Sequence, residues 1–87
     1  MKRVALISIF VSENAQVAKL NEYLHEASDY VIGRLGIPYR KRKINIISLA
    51  IDAPQDFISA LSGKIGRLEG ITSRTTYSDV IALPDED

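Results

Sequence analysis

The segment Val4-Ala-Leu-Ile-Ser-Ile-Phe-Val11 decides the fold of this chain of 87 residues. It is rich in β-branched and aromatic residues, which favour an extended strand. The polar residues Ser12-Glu13-Asn14 follow directly and predict a helix start, with Ser12 or Asn14 as the N-cap. The first two elements are therefore a strand and a helix.

Hydrophobic periodicity predicts the next three elements. Apolar residues recur every three or four positions from Val17 to Ala27, which is typical of an amphipathic helix. The segments Tyr30–Gly36 and Ile44–Ile51 predict the two strands of a hairpin, and Arg40-Lys-Arg-Lys43 forms its charged tip. We interpret these four cations mainly as a solvated turn, with phosphate contact as the minor alternative.

The second half of the chain predicts another helix and a fourth strand. Asp52 fits a helix cap, Pro54 fits the first turn, and Gly70 fits a left-handed helix end. The Thr-rich segment Ile71–Ser78 predicts a strand. Residues 79–87 form a tail, or add a short edge strand at positions 80–83.

The predicted order is βαββαβ, which indicates an α+β, ferredoxin-like domain spanning residues 1–87. Right-handed crossovers place both helices on one face of a four-stranded antiparallel sheet. Such a sheet should be polar on its open face, yet the first and third strands are apolar there too. We therefore predict a homo-oligomer, a dimer or tetramer formed through the sheets, and the residues expected at its interface are Val4, Leu6, Phe10, Ile44 and Ile46.

Composition excludes several classes of function. Eleven basic and eleven acidic residues balance, so neither direct nucleic-acid binding nor membrane association is expected. The lack of cysteine excludes thiolate metal sites and thiol nucleophiles, and His25, the only histidine, is interpreted as a polar residue at a helix end. We predict no enzyme, no catalytic residue, no metal site and no cofactor. The apolar run is too short to span a bilayer and no signal peptide is evident, so the cytoplasm is the expected compartment.

The most unusual local pattern is Gly33-Arg-Leu-Gly-Ile-Pro-Tyr39. Two glycines inside a strand often mark a bulge or the close approach of another backbone or a ligand. A bent hairpin arm without a ligand is the alternative, and these residues do not decide between the two.

Several segments together resemble a family of small proteins encoded with iron-only hydrogenase systems and described as candidate regulators. The segments that carry the resemblance are Leu20-Asn-Glu-Tyr-Leu-His-Glu26, Asp29-Tyr-Val-Ile-Gly-Arg-Leu-Gly-Ile-Pro-Tyr39, Ile44-Asn-Ile-Ile-Ser48, Asp52-Ala-Pro-Gln-Asp56 and Ile58-Ser-Ala-Leu-Ser-Gly-Lys64. That family is similar to ACT domains and to the carboxy-terminal domain of nickel-responsive regulators. The resemblance implies an ACT-like fold that associates through its sheets and binds small effectors at the seams.

The nickel activity of those regulators is not implied. Gly36, Pro38 and Ile44 stand where the nickel regulators place His and Cys ligands on the central hairpin. No ribbon-helix-helix arm precedes Val4, so we expect no DNA-binding domain within this chain.

Two functional hypotheses follow. In the first, the chain is an oligomeric regulatory module that binds a small effector, and the residues expected at the effector site are Ser12, Glu13, Asn14, Gly33, Arg34, Gly36, Pro38 and Tyr39. In the second, it is a ligand-free module that docks a hydrogenase-related or DNA-binding protein through the hairpin tip and tail.

Overall fold

The computed structural model describes residues 2–80, 83 and 84. The chain order of the elements is β1 (Lys2–Ser12), α1 (Val17–Glu26), β2 (Val31–Tyr39), β3 (Ile44–Pro54), α2 (Gln55–Gly66) and β4 (Ile71–Tyr77). All strand pairs are antiparallel, and the strand order across the sheet is β2-β3-β1-β4. The predicted ferredoxin-like α+β fold is confirmed.

The hydrophobic core lies between the helices and one face of the sheet. Alternate residues of β1 and β3 are buried, as the sequence pattern predicts, because successive side chains of a strand point to opposite faces. The largest fully buried side chains are Ile7, Ile9, Val11, Leu20, Leu49, Ile51, Ile58, Leu61 and Ile65. This packing fixes which face of the sheet remains open.

The predicted caps of both helices are wrong. Helix α1 begins at Val17 with Gln16 as its N-cap, while Ser12 is the last residue of β1 and donates its backbone N–H to the carbonyl of Gly70 at 2.8 Å. Asp52 stays in β3 because it pairs with Val4, and Pro54 is the N-cap of α2. Pairing between distant strands therefore extends β1 and β3 beyond their predicted ends, and both helices begin later than predicted.

Two other boundaries differ from the prediction. Tyr30 belongs to a 3₁₀ turn and donates its N–H to the carbonyl of Ala27 at 2.9 Å, so β2 starts at Val31 and runs on to Tyr39. Helix α2 ends at Gly66; Gly70 does adopt a left-handed conformation, with a φ of +79°, but in the turn that leads to β4.

Four residues of the predicted tail, at positions 79, 80, 83 and 84, are described. Residues 78–80 lie outside any strand, and Ser78 donates its N–H to the carbonyl of Val4 at 3.0 Å. The predicted edge strand at 80–83 includes positions 81 and 82, which lie outside the described residues.

Candidate functional site

The sheet face opposite the helices is apolar over three of its four strands. The register places Ile37, Ile46 and Phe10 side by side in one cross-strand row that ends at Thr72 of β4. Leu6 and Phe10 are 44% and 43% exposed, whereas the predicted interface residues Val4, Ile44 and Ile46 are half-buried. We call the apolar part of this face, which lies on β1, β2 and β3, the open face.

Strand β2 adds three large side chains to the open face that the sequence reasoning missed. Leu35, Ile37 and Tyr39 are 59%, 46% and 44% exposed, and they alternate along an edge strand. Their spacing of two residues is the sequence signal for a shared sheet face, although the two glycines interrupt the apolar pattern of this strand. At the opposite edge, Thr72, Arg74 and Thr76 pair with β1 and are exposed, so the open face stops before β4.

A depression of about 430 Å³ lies at the end of the sheet, between the loop after β1 and the hairpin tip. Its lining residues are Ser12, Glu13, Val17, Pro38, Tyr39, Arg40, Lys43, Ile44 and Asn45. Four of the eight residues expected at an effector site, namely Ser12, Glu13, Pro38 and Tyr39, therefore lie together. Asn14 does not line this depression.

A groove of about 270 Å³ continues from the depression between α1 and β2. Arg34, Gly36 and Pro38 line it from β2, and Leu20 and Asn21 line it from α1. Gly33 lines neither space and lies beside a register shift, so one of the two glycines does mark a bulge, as the sequence allowed. A Cβ atom added at either glycine would meet nothing within 4 Å. The chain's own packing therefore leaves room for a side chain at both positions.

The hairpin tip places two cations on the wall of the depression. Residues Arg40–Arg42 form a 3₁₀ turn, and the N–H of Lys43 donates to the carbonyl of Arg40 at 3.2 Å. Lys43 follows this turn in a left-handed conformation, with a φ of 55°. Arg40 and Lys43 line the depression, while Lys41 and Arg42 do not.

These two cations differ in their charge environment from Lys19 and Lys64, which lie on the helices. Lys19 and Glu22 form an ion pair at 3.0 Å, and the hydrogen bond and charge of Glu22 raise the pKa of Lys19 above its ordinary value. Lys64 pairs with Glu26, also at 3.0 Å. Within residues 2–80, 83 and 84, neither Arg40 nor Lys43 has a carboxylate at ion-pair distance. Neither charge is therefore neutralised by a described carboxylate.

Gly70 shapes the opposite wall. Its carbonyl accepts the hydrogen bond from Ser12, and a Cβ atom added to it would collide with Ser12 Oγ and lie 3.2 Å from the Cα of Ala15. The loop after β1 is therefore closely packed on the turn before β4, which positions Ser12 and Glu13 at the depression.

Potential metal-ligating side chains are dispersed over the described part of the chain. No group of three or more His, Asp or Glu side chains comes together among these residues, and His25 is exposed in the last turn of α1. Neither described helix is long and apolar enough to cross a membrane.

Comparisons with known proteins agree with this fold. Residues 3–75 match the TM1266-like family, whose description reads "Iron-only hydrogenase system regulator, putative". The structure is similar to that of the uncharacterized protein TM1266 from Thermotoga maritima, with a TM-score of 0.84 and 33% sequence identity over 88% of this chain and 98% of that chain. It is also similar to a formyltetrahydrofolate deformylase from Pseudomonas putida KT2440, with a TM-score of 0.60 and 16% identity over 84% of this chain and 28% of that chain, a likeness of fold alone. A search of curated proteins found no match.

Proposed function

This chain belongs to the TM1266-like family, described as "Iron-only hydrogenase system regulator, putative", and on that premise we propose that it is an oligomeric module that binds a small effector. Regulation then passes to a protein partner in the cytoplasm, because balanced charge gives this chain little attraction for DNA. No catalytic step is assigned, since Glu13 is the only acid that lines the depression and no histidine accompanies it.

The depression at the end of the sheet is the observation that carries this proposal. Its size of about 430 Å³ is within the range of small-molecule sites. Apolar side chains line part of it, and a few polar and charged groups converge on it, as ligand recognition requires. Residues from the loop after β1 and from the hairpin tip meet there although they are some 25 positions apart in sequence.

The open face supports the oligomer. Its five most exposed apolar side chains, at 43–59% exposure and about 200 Å² each when free, offer roughly 450 Å² of apolar surface. A standard interface buries about 800 Å² per partner, of which about 56–65% is apolar. The apolar area available is therefore close to what one such interface needs, and a second copy of the chain presents the same self-complementary surface.

A thermal-shift screen of the full chain tests effector binding. The panel contains amino acids, nucleotides, organic acids, sugars and metal salts. A ligand present at a hundredfold its dissociation constant stabilises the fold by about 2.7 kcal/mol, which for a domain of this size raises Tm by roughly 10–20 °C. A panel without any concentration-dependent shift would argue against an effector module.

Sedimentation velocity at micromolar concentration tests the oligomer. We expect the wild type to sediment as a dimer or tetramer and the Phe10→Lys variant as a monomer, because a lysine ammonium cannot be buried unpaired at the interface. Thr76→Lys, which adds the same charge on the polar side of the same sheet face, is the matched control and should leave the oligomer intact. A monomeric wild type would refute the interface.

A second candidate function is a ligand-free module that docks a protein partner. Lys41 and Arg42 are exposed and lie outside the depression, so they are available to an acidic surface. Affinity capture should then recover a stoichiometric partner that is lost with the Lys41→Glu, Arg42→Glu double variant. Retention of the partner by that variant would exclude docking through the tip.

A further inference from the structure

We propose that the effector of this site is a small anion, whose phosphate or carboxylate group binds Arg40 and Lys43. The apolar body of the ligand then packs on Val17, Tyr39 and Ile44. This inference rests on the proposed function and specifies the ligand class of the same depression.

The first argument is the geometry of the tip. Four cations are consecutive in sequence, but only the first and the fourth line the depression. Arg40 opens the 3₁₀ turn and Lys43 ends it in a left-handed conformation, and this backbone path places both residues, but neither of the two between them, on the wall of the depression. Two cations that line the same depression favour an anion site there over a merely solvated turn.

The second argument is electrostatic. Arg40 and Lys43 have no carboxylate at ion-pair distance in the described part of the chain, so no described side chain competes with a ligand for their charges. A depression with partly apolar walls focuses the field of its charges. The guanidinium of Arg40 also offers a planar fork of N–H donors, which matches the oxygens of a carboxylate or phosphate.

The third argument is the backbone of Lys43. Its φ of 55° is left-handed, and it is the only non-glycine residue with a positive φ in the described chain. Glycine or asparagine normally takes such a position, because other side chains are strained there. A lysine therefore accepts strain at a place where its side chain lines the depression, which is typical of functional positions.

The remaining polar residues of the lining narrow the ligand further. Glu13 lines the depression from the loop after β1, and its carboxylate disfavours a second anionic group beside it. Glu13 and the side-chain carbonyl of Asn45 can both accept hydrogen bonds. The expected ligand thus carries one anionic group, an apolar body and a hydrogen-bond donor.

The test is a titration of the isotopically labelled full chain, followed by amide chemical shifts in two-dimensional NMR. The probes are phenyl phosphate, benzoate and inorganic phosphate. We expect saturable shifts at the loop after β1 and at the hairpin tip. Comparison of the first two probes separates phosphate from carboxylate recognition, and inorganic phosphate, which lacks the apolar body, should bind more weakly than phenyl phosphate.

Four charge-neutralising variants make the test specific. Arg40→Gln and Lys43→Gln should each weaken binding of the preferred probe at least tenfold, while Lys41→Gln and Arg42→Gln, which remove the same charge from the same tip, should weaken it less than threefold. Lys43→Gly removes the cation and the left-handed strain together, so it should weaken binding in a chain at least as stable as the wild type. Equal weakening by all four glutamine variants would overturn the site in favour of diffuse attraction to the tip.

Failure of this inference and failure of the proposed function give different results. If an uncharged compound from the thermal-shift panel stabilises the chain while phenyl phosphate and benzoate cause no saturable shift, the anion site is refuted and the effector module stands. If no compound of any class stabilises the chain or shifts its amides, both are refuted.

Discussion

Gly70 links the stability of the fold to the shape of the candidate site, and its replacement by alanine should damage both. The residue has a φ of +79°, and a Cβ atom there would collide with Ser12 Oγ and approach the Cα and Cβ of Ala15 to 3.2 and 3.3 Å. Ala15 Cα belongs to the backbone of the loop after β1, so rotation of a flexible side chain cannot relieve that contact. The loop itself must move.

The size of the effect can be worked from these contacts. A left-handed conformation costs an alanine about 1–2 kcal/mol, and forcing an extra carbon into a packed site typically costs about 1–3 kcal/mol. The reduced entropy of the unfolded chain returns about 0.4–1 kcal/mol. We therefore expect Gly70→Ala to lower the free energy of unfolding by about 1–5 kcal/mol, and the midpoint of about 3 kcal/mol corresponds to a loss in Tm of roughly 10–20 °C.

Thermal and urea denaturation, both followed by circular dichroism, measure this loss of stability. The measurements are made at several protein concentrations, because assembly makes Tm depend on concentration. Gly33→Ala is the matched control: a Cβ atom there meets nothing within 4 Å, so Tm should change by less than about 4 °C. The left-handed backbone conformation should cost Gly70→Asn less free energy than Gly70→Ala, because asparagine tolerates the left-handed region. A Gly70→Ala chain that melts with the Gly33→Ala control would refute the described turn.

Three further predictions concern stability. Thr75 Oγ1 is buried and has no hydrogen-bond partner among the described residues, so Thr75→Val should raise the free energy of unfolding by about 1 kcal/mol in urea denaturation; a loss of stability would contradict this. Ile58 is fully buried, and Ile58→Ala should cost about 2–5 kcal/mol by the same assay, whereas Ile32→Ala, at 62% exposure, should cost far less; similar losses would contradict the core. Lys64 bridges α2 to Glu26 of α1 on the surface, and a double-mutant cycle should give a coupling below about 1 kcal/mol; a larger value would mean that the pair is less exposed to solvent than described.

The sequence predicted the sheet well because the signal was local and redundant. Apolar residues alternate along both β1 and β3, so each strand independently indicates which side chains face the core. The strand order then follows from the handedness of the crossovers. The caps failed because they depend on partners distant in sequence. Ser12 remains in β1 by pairing with Ile44, five residues before the start of α1, and Asp52 remains in β3 by pairing with Val4.

Only half of the residues predicted at the effector site line the depression, because its lining also depends on contacts between segments distant in sequence. Ser12, Glu13, Pro38 and Tyr39 stood out by type and context, but the selection of Arg40 and Lys43 from four cations depends on the path of the backbone at the hairpin tip. That path includes a left-handed conformation at Lys43, which residue preference does not predict for a lysine. Whether these residues bind a ligand remains a prediction.

The depression and the open face share part of their surface, which gives the proposed regulator a physical mechanism. Tyr39, Ile44 and Ser12 form one cross-strand row, and all three also line the depression. A ligand that contacts this row therefore meets groups that a second copy of the chain would also cover. By thermodynamic linkage, the factor by which the ligand changes the dimer dissociation constant equals the factor by which dimerisation changes ligand affinity. A ligand with equal affinity for monomer and dimer would regulate nothing, so shared contacts at this row are what the proposed module requires.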